Sequence, residues 1–351
     1  MNKQISGISM PHTEEFIKSH IQNGGAGDVA LVIGNRSGEV YRFFCSSRGD
    51  VQNGQTVYDM MSVSKIMATT PLFYMAMDEG LVSPDDTLGK YFPEAPEDKK
   101  ALPLWMLLSH QSGMGRYVNP EYFGPDRRSD AIKFQLSHPL LFTPGTDYFY
   151  SCSGFIILGF LLERVYNKPL DRLFDDRIVR PLGMKNTMFN HPEDENIVRC
   201  TRKKYEGSNK CSDDNNRRLY GVSGNAGVFS CIDDMAIFAQ SLLNRHNTII
   251  SEDTFTKGTK DYGPHLTFGR ALGYVYTDER YKQGGRLFSE GSVGHTGFSG
   301  TECFADFEKD LFVVSLSNTA YYAAQQHKNC SNECAAFREG LHNAIADDLG
   351  I

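Results

Sequence analysis

The residues best able to do chemistry sit in one stretch, Tyr58-Asp59-Met60-Met61-Ser62-Val63-Ser64-Lys65. Ser62 and Lys65 are three apart, so at the first turn of a helix both side chains occupy one face. A hydroxyl beside an amine suits nucleophilic catalysis, because a neutral amine can remove the serine proton. A helix N-terminus favours negative charge and lowers a lysine pKa, and partial burial lowers it further. Alone the spacing says little. Serine is a preferred N-cap, and a lysine one turn on belongs to many solvated helix faces.

The elements around this pair must position it. Through residues 64–77 the apolar residues Ile66, Leu72, Phe73, Ala76 and Met77 recur at helical spacing, and Gly80 reads as the stop. Upstream, residues 12–22 form an amphipathic helix with Phe16, Ile17 and Ile21 on one side. Residues 29–33 and 40–45 are joined by a Gly34 to Gly38 turn cluster, a hairpin at one edge of an antiparallel sheet. Proline, aspartate and glycine then punctuate a departure from the sheet. Helices are expected at 102–108, 153–166 and about 170–179. Residues 190–218, which include the basic run Arg202-Lys203-Lys204, are polar and read as a long surface excursion that could form a lid. A small-residue turn, Gly224-Asn225-Ala226-Gly227, leads to a helix at 233–243. Strand-like runs follow at 272–276, 292–295, 300–306 and 311–316, and residues 333–349 close the chain as a helix.

Sheet elements at both chain ends and helices between them predict an α+β fold, an antiparallel sheet flanked by helices with a mainly helical inserted domain. The expected division places 1–82 and 227–351 in the sheet domain and 83–226 in the insertion. Hydrophobic residues make up 40% and charged residues 23% of the 351, the balance of an ordinary globular protein. The net charge of -7 argues against a nucleic-acid partner held by phosphate neutralisation. The basic start lacks a following apolar run, and the most apolar segment, 155–162, is far too short to span a bilayer. A cytoplasmic location is expected, which a removed signal peptide would change, with neither nucleic acid nor membrane as partner. The eight cysteines show no disulfide framework. Cys330 and Cys334 read as reduced thiols, not as a metal pair.

Taken together and in order, five landmarks resemble those of the serine β-lactamase-related hydrolases, the branch with class C β-lactamases, penicillin-binding proteins, D-aminopeptidases and esterases. They are Ser62-Val63-Ser64-Lys65, Leu107-Leu108-Ser109-His110-Gln111-Ser112-Gly113, Pro144-Gly145 through Tyr150-Ser151-Cys152, the Gly224 to Ser230 turn, and His295-Thr296-Gly297. The resemblance implies a β-lactamase-like sandwich and an acyl-enzyme mechanism without metal or cofactor. Ser62 attacks the carbonyl, Lys65, either neutral or sharing a proton with Tyr150, takes its proton, and Tyr150 relays it to the leaving group. The N–H groups of Ser62 and Phe298 hold the oxyanion. His295, Thr296, Gly297, Cys152 and Tyr117 contribute to substrate binding. A phenol is a poor base at neutral pH, so Tyr150 needs nearby positive charge, for which Lys65 is the first candidate and His295 a second.

Two departures from the family pattern bear on substrate. Cys152 stands where the Tyr-x-Asn motif has asparagine, and a thiol is a weak hydrogen-bonding group. Packing is the simpler reading of Cys152, reactivity the rival one. His295 stands where β-lactamases have lysine, and a mostly neutral histidine attracts a substrate carboxylate less. Both point to a small ester or amide as substrate, handled by an esterase or D-amino-acid peptidase with weak or no β-lactamase activity. The alternative is a non-catalytic or slowly acylating sensor on the same fold. Tyr117-Val118-Asn119 is a literal Tyr-x-Asn, but it lacks the preceding Pro-Gly and the following helix, so Tyr150 is preferred and Tyr117 is assigned to the cleft. His110 reads as holding a turn, Trp105 as core, and Phe298 and Tyr274 as possible pocket walls.

Overall fold

The computed structural model describes residues 8–49, 52–119, 127–191, 197–198 and 211–351. The chain opens with helix α1 (Pro11–Gln22) and strands β1 (Asp28–Asn35), β2 (Gly38–Ser46) and β3 (Val57–Asp59), followed by α2 (Thr70–Asp78). Helices α3 (Leu88–Tyr91), α4 (Glu97–Lys100), α5 (Leu104–Leu108), α6 (Arg127–Ser137), α7 (Cys152–Tyr166), α8 (Leu170–Phe174) and α9 (Arg180–Leu182) come next. Then follow β4 (Met188–Phe189), α10 (Asp214–Arg218), β5 (Val228–Cys231), α11 (Ile232–Leu243) and α12 (Glu252–Gly258). Strands β6 (Val275–Tyr276), β7 (Val293–Thr296), β8 (Glu302–Asp306) and β9 (Leu311–Ser317) lead to α13 (Thr319–Gln325) and α14 (Cys330–Leu349).

Six strands from the two ends of the chain form one antiparallel sheet in the order β2-β1-β9-β8-β7-β6. Its central strands are buried on both faces, so β1 reads as a continuous apolar run. Alternation still sorts the side chains. Val29, Leu31 and Ile33 pack with Ile17, Phe337, Leu341 and Ile345 of α1 and α14. Ala30 and Val32 face the opposite way, into a larger core shared with α2, α5, α7 and α11. That core runs without a break from the sheet into the helical region. The antiparallel sheet flanked by helices is thus the observed architecture. No helix among the described residues is long and apolar enough to cross a membrane.

Three elements differ from their sequence-based expectations. The single helix expected over 64–77 is a 3-10 turn at Met61–Val63, a π turn at Lys65–Thr69 and then α2. The helix expected at 170–179 likewise divides into α8 and a π turn at Asp175–Val179. In both places a proline follows, Pro71 and Pro181, and its missing N–H breaks the regular ladder at that point. Hydrophobic spacing shows the face but not this change of pitch. The third difference lies in the 190–218 excursion. Residues 192–196 and 199–210, with the 202–204 basic run, lie outside the described residues. The stretch from Cys211 is not all surface: Cys211, Asn215, Asn216 and Arg217 are buried, Cys211 against Met61 of the turn that carries Ser62. Its polar composition hid this, because Asp213 caps α10 and Asn216 spends its amide on the carbonyl of Ala226.

A close backbone approach joins α7 to the turn that precedes β5. A Cβ on Gly224 would lie 2.0 Å from the Phe155 carbonyl oxygen and 2.9 Å from the Gly159 nitrogen. Gly224→Ala is therefore expected to lower folding stability by about 1–3 kcal/mol, the cost typical of overpacking. Denaturant unfolding followed by circular dichroism checks this; an unchanged midpoint would show that the two backbones separate freely.

Candidate active site

Ser62 lies in the 3-10 turn that follows β3. Met61 just before it adopts φ 49, a left-handed conformation uncommon for a residue with a side chain. The buried carboxylate of Asp59 holds this turn, accepting the N–H of Met61 at 2.9 Å and that of Ser212 at 2.7 Å. The Gly224 to Val228 turn backs it. Met60 N–H donates to the Val228 carbonyl at 3.0 Å, and Val228 N–H donates to Ser64 Oγ at 3.1 Å. Between the two turns Lys65 is fully buried. Its Nζ donates to Ser62 Oγ at 3.1 Å and to the Asn225 carbonyl at 2.8 Å.

Tyr150 arrives from the start of α7, whose N-cap Ser151 accepts the Gly154 N–H at 3.1 Å. The Tyr150 ring centroid is 5.0 Å from Lys65 Nζ. Its hydroxyl is buried, interacts electrostatically with Lys65 and Ser62, and makes no well-formed hydrogen bond among the described residues. His110 supports it from behind. His110 adopts φ 62, accepts the Ser151 N–H on Nδ1 at 3.1 Å, and sets its ring 4.6 Å from that of Tyr150. Burial, together with Arg270 and Lys65, pushes the His110 pKa far down, so it is neutral. It holds the turn, as the sequence suggested, and also shelves Tyr150.

Lys65 and Tyr150 are electrostatically coupled. Burial opposes the Lys65 ammonium, while the ionised forms of Tyr150 and Cys152 and the Asp213 carboxylate favour it, and the balance raises its pKa. Burial raises the Tyr150 pKa as well, against the pull of Lys65. A helix terminus does not neutralise Lys65, because acceptors surround its side chain.

His295, on β7, differs from expectation. Burial, then Lys65 and Arg270, push its pKa far down. Its Nδ1 lies 2.8 Å from the Thr296 carbonyl, which can only accept, so the proton is on Nδ1. His295 is thus neutral and supplies no positive charge to Tyr150. Its Nε2 has no partner among the described residues, and the ring lines the cavity beside Ser62.

That cavity has a volume of about 290 Å³ and brings together Ser62, Tyr150, His295, Thr296, Gly297 and Phe298. Arg338 anchors its floor, donating to the Gly297 carbonyl at 2.5 Å and the Thr301 carbonyl at 3.2 Å. The first amides of a helical turn have no intrahelical acceptor, which leaves the Ser62 N–H available. The Phe298 N–H is engaged by no partner among the described residues. Two expected residues do not line the cavity. Tyr117 stacks on His138 at 3.9 Å and donates its hydroxyl to the Pro139 carbonyl. Cys152 is buried at the head of α7, where burial pushes its thiol pKa up, so packing is its observed role. Tyr274 is also core, edge-on to Tyr74. Sequence reasoning missed Arg116, Tyr148, Phe268 and Arg270 in the cavity wall. They come from three separate loops with no motif spacing; the one available signal was that Arg116 and Tyr148 flank recognised landmarks.

The fold and this cavity define an α+β protein with a Ser-x-x-Lys and tyrosine site. The beta-lactamase family model matches residues 14–329, and the chain belongs to that family. A relative in Escherichia coli (strain K12), named "Putative D-alanyl-D-alanine carboxypeptidase", is 29% identical over 302 residues, 75% of this chain and 69% of that protein. A penicillin-binding protein homologue from Caulobacter crescentus superposes with a TM-score of 0.75 at 16% identity, covering 98% of this chain and 100% of that chain. EstCE1, described as a hydrolase with promiscuous acyltransferase activity, superposes with a TM-score of 0.74 at 19% identity, covering 95% and 97%. Family and relatives together support a hydrolase-type activity.

Both pKa values of the Lys65–Tyr150 pair are raised, so a base drawn from this pair would have to lose a proton before it could activate Ser62. Phosphonylation of Ser62 by a fluorophosphonate should therefore accelerate from pH 7 to pH 9, by about tenfold per unit while the reactive form is a minority. A rate flat over this range would mean that another group is the base. Lys65→Met should slow the labelling by about 10²–10⁴-fold.

Proposed function

We propose that this protein is a serine hydrolase that acts through an acyl-enzyme on a small ester or amide. The observation that carries the reading is the Lys65 Nζ to Ser62 Oγ hydrogen bond of 3.1 Å, with the Tyr150 hydroxyl buried against both beside the cavity. Ser62 Oγ attacks the substrate carbonyl carbon while the Lys65–Tyr150 pair takes its proton. The N–H groups of Ser62 and Phe298 receive the developing oxyanion. Tyr150 then gives a proton to the leaving alcohol or amine as the acyl bond breaks. In the second half water loses a proton to the same pair and releases the acid. The mechanism calls for no metal or cofactor.

The names of the relatives support both an amide and an ester reading, as a D-alanyl-D-alanine carboxypeptidase and as a hydrolase with acyltransferase activity. β-Lactam hydrolysis is the weaker reading, since the Cys152 thiol takes the place of a strong amide partner. A second reading, a slowly acylating sensor, is favoured by the raised pKa values of the pair.

Intact mass after fluorophosphonate treatment tests the nucleophile. One adduct on the wild type, absent from Ser62→Ala, is expected. A well-folded wild type with no adduct would sink the mechanism. Turnover of 4-nitrophenyl esters or D-amino-acid amides then separates the enzyme from the sensor, which would label once and stop.

A further inference from the structure

We infer that Asp213 is a positioning residue for Lys65: it acts through the side chain of Asn225, and its carboxylate is the anion set against the Lys65 ammonium. This rests on the hydrolase reading of Ser62 and Lys65. It adds a residue that belongs neither to the sequence landmarks nor to the cavity wall.

The line of contacts is short. Lys65 Nζ donates to the Asn225 carbonyl at 2.8 Å. Asn225 is fully buried, and its side chain is held at both ends. Its Oδ1 accepts from Ser223 Oγ at 2.7 Å, and its Nδ2 donates to Asp213 Oδ1 at 3.1 Å. The same carboxylate oxygen accepts the Asn216 N–H at 2.8 Å as the N-cap of α10. The segment that carries Asp213 is pinned in turn to the Ser62 turn. Ser212 N–H donates to Asp59 at 2.7 Å, Cys211 packs on Met61, and Asp213 N–H donates to Cys211 Sγ at 3.4 Å. Asp213, Asn225 and Lys65 thus form one line from a helix cap to the Ser62 hydroxyl.

Capping alone does not account for an aspartate here, because asparagine and serine cap a helix as well. What aspartate adds is charge, and that charge is unmatched. No lysine or arginine among the described residues pairs with Asp213, whereas the adjacent Asp214 is paired with Arg217. The titratable groups facing Lys65 are Tyr150 and Cys152 at the head of α7, His110, His295 on β7, and Asp213. Arg116 and Arg270 lie against the Tyr150 ring. Neither an imidazole nor a guanidinium supplies negative charge. Burial raises the pKa of the Tyr150 phenol and of the Cys152 thiol, which disfavours their negative forms. Asp213 is the one carboxylate of the set. A buried ammonium needs acceptors at hydrogen-bond distance and an anion nearby. The Asp213 carboxylate supplies the anion, and its hydrogen bond from Asn225 fixes one of the acceptors.

Asp213→Asn tests this, because it retains the cap and an acceptor for Asn225 and removes the charge. In protein carrying ¹³C-lysine, the Lys65 Cε signal is identified by its loss in Lys65→Met. Its titration should move to lower pH by about half a unit or more in Asp213→Asn, since loss of an anion favours the neutral amine. Phosphonylation of Ser62 at pH 7 should then be about threefold or more faster, the same half unit read as a rate. Asp213→Ser, also a cap, should move the titration in the same direction. Asp213→Glu keeps the charge and should stay closer to the wild type. A wild-type titration of Lys65 in either charge-removing variant, shown folded by circular dichroism, would overturn the inference, and so would labelling slowed equally at every pH. The titration needs no turnover, so a Ser62 that fails to label in the wild type counts against the hydrolase reading alone.

Discussion

A lysine ammonium with none of its surface in water must be surrounded by acceptors, and Lys65 imposes that demand on everything around it. One acceptor is the Ser62 hydroxyl, three residues back on the same turn. Another is the Asn225 carbonyl, from a turn 160 residues away. The two turns are laced together by Met60, Ser64, Thr69, Gly224 and Val228. Asp59 ties in the 211–213 segment as a third side. Ser62 is thus placed by the need to satisfy one buried charge, not by the helix that follows it.

The opposite wall has its own buried charge. Glu302 on β8 lies 3.1 Å from His342 Nε2 and 3.7 Å from Arg338 Nε, all nearly or fully buried. Burial works against the Glu302 carboxylate, but His342 and Arg338 outweigh it and hold its pKa below the usual range. Arg338 in turn grips the Gly297 and Thr301 carbonyls on either side of Phe298. The segment that would present the oxyanion donor is therefore clamped from α14, through a buried network. Buried pairs of this kind add little net stability but are intolerant of losing one partner, which suits positioning.

Charge at the mouth of the site is arranged differently. Arg116 and Arg270 sit on aromatic faces instead of carboxylates, so their positive field remains available to the cavity. His110 and His295, close to this cluster, are forced neutral by burial and by the same cations. Two histidines near a nucleophile would ordinarily be read as acid–base groups. Here one shelves Tyr150 and the other presents an unprotonated Nε2 to the cavity.

Much was legible in the chain because it is local. Alternation and helical spacing located the hairpin, α7, α11 and the closing strands, and the Ser62-to-Lys65 spacing, Tyr150 after Pro144-Gly145 and His295-Thr296-Gly297 marked the site. Each depends on neighbours within a few residues. The rest depends on distance in space. Pitch changed to π where a proline removed an N–H. The polar stretch after Cys211 went inside because Asp59 and the 224–228 turn had groups to receive it. Tyr117, close to the motif in sequence, was drawn off by His138. The Lys65 pKa went up, and Arg270 entered the wall from a loop 120 residues beyond Tyr150. Burial and through-space fields set protonation and cavity lining, and both arise only when remote segments meet.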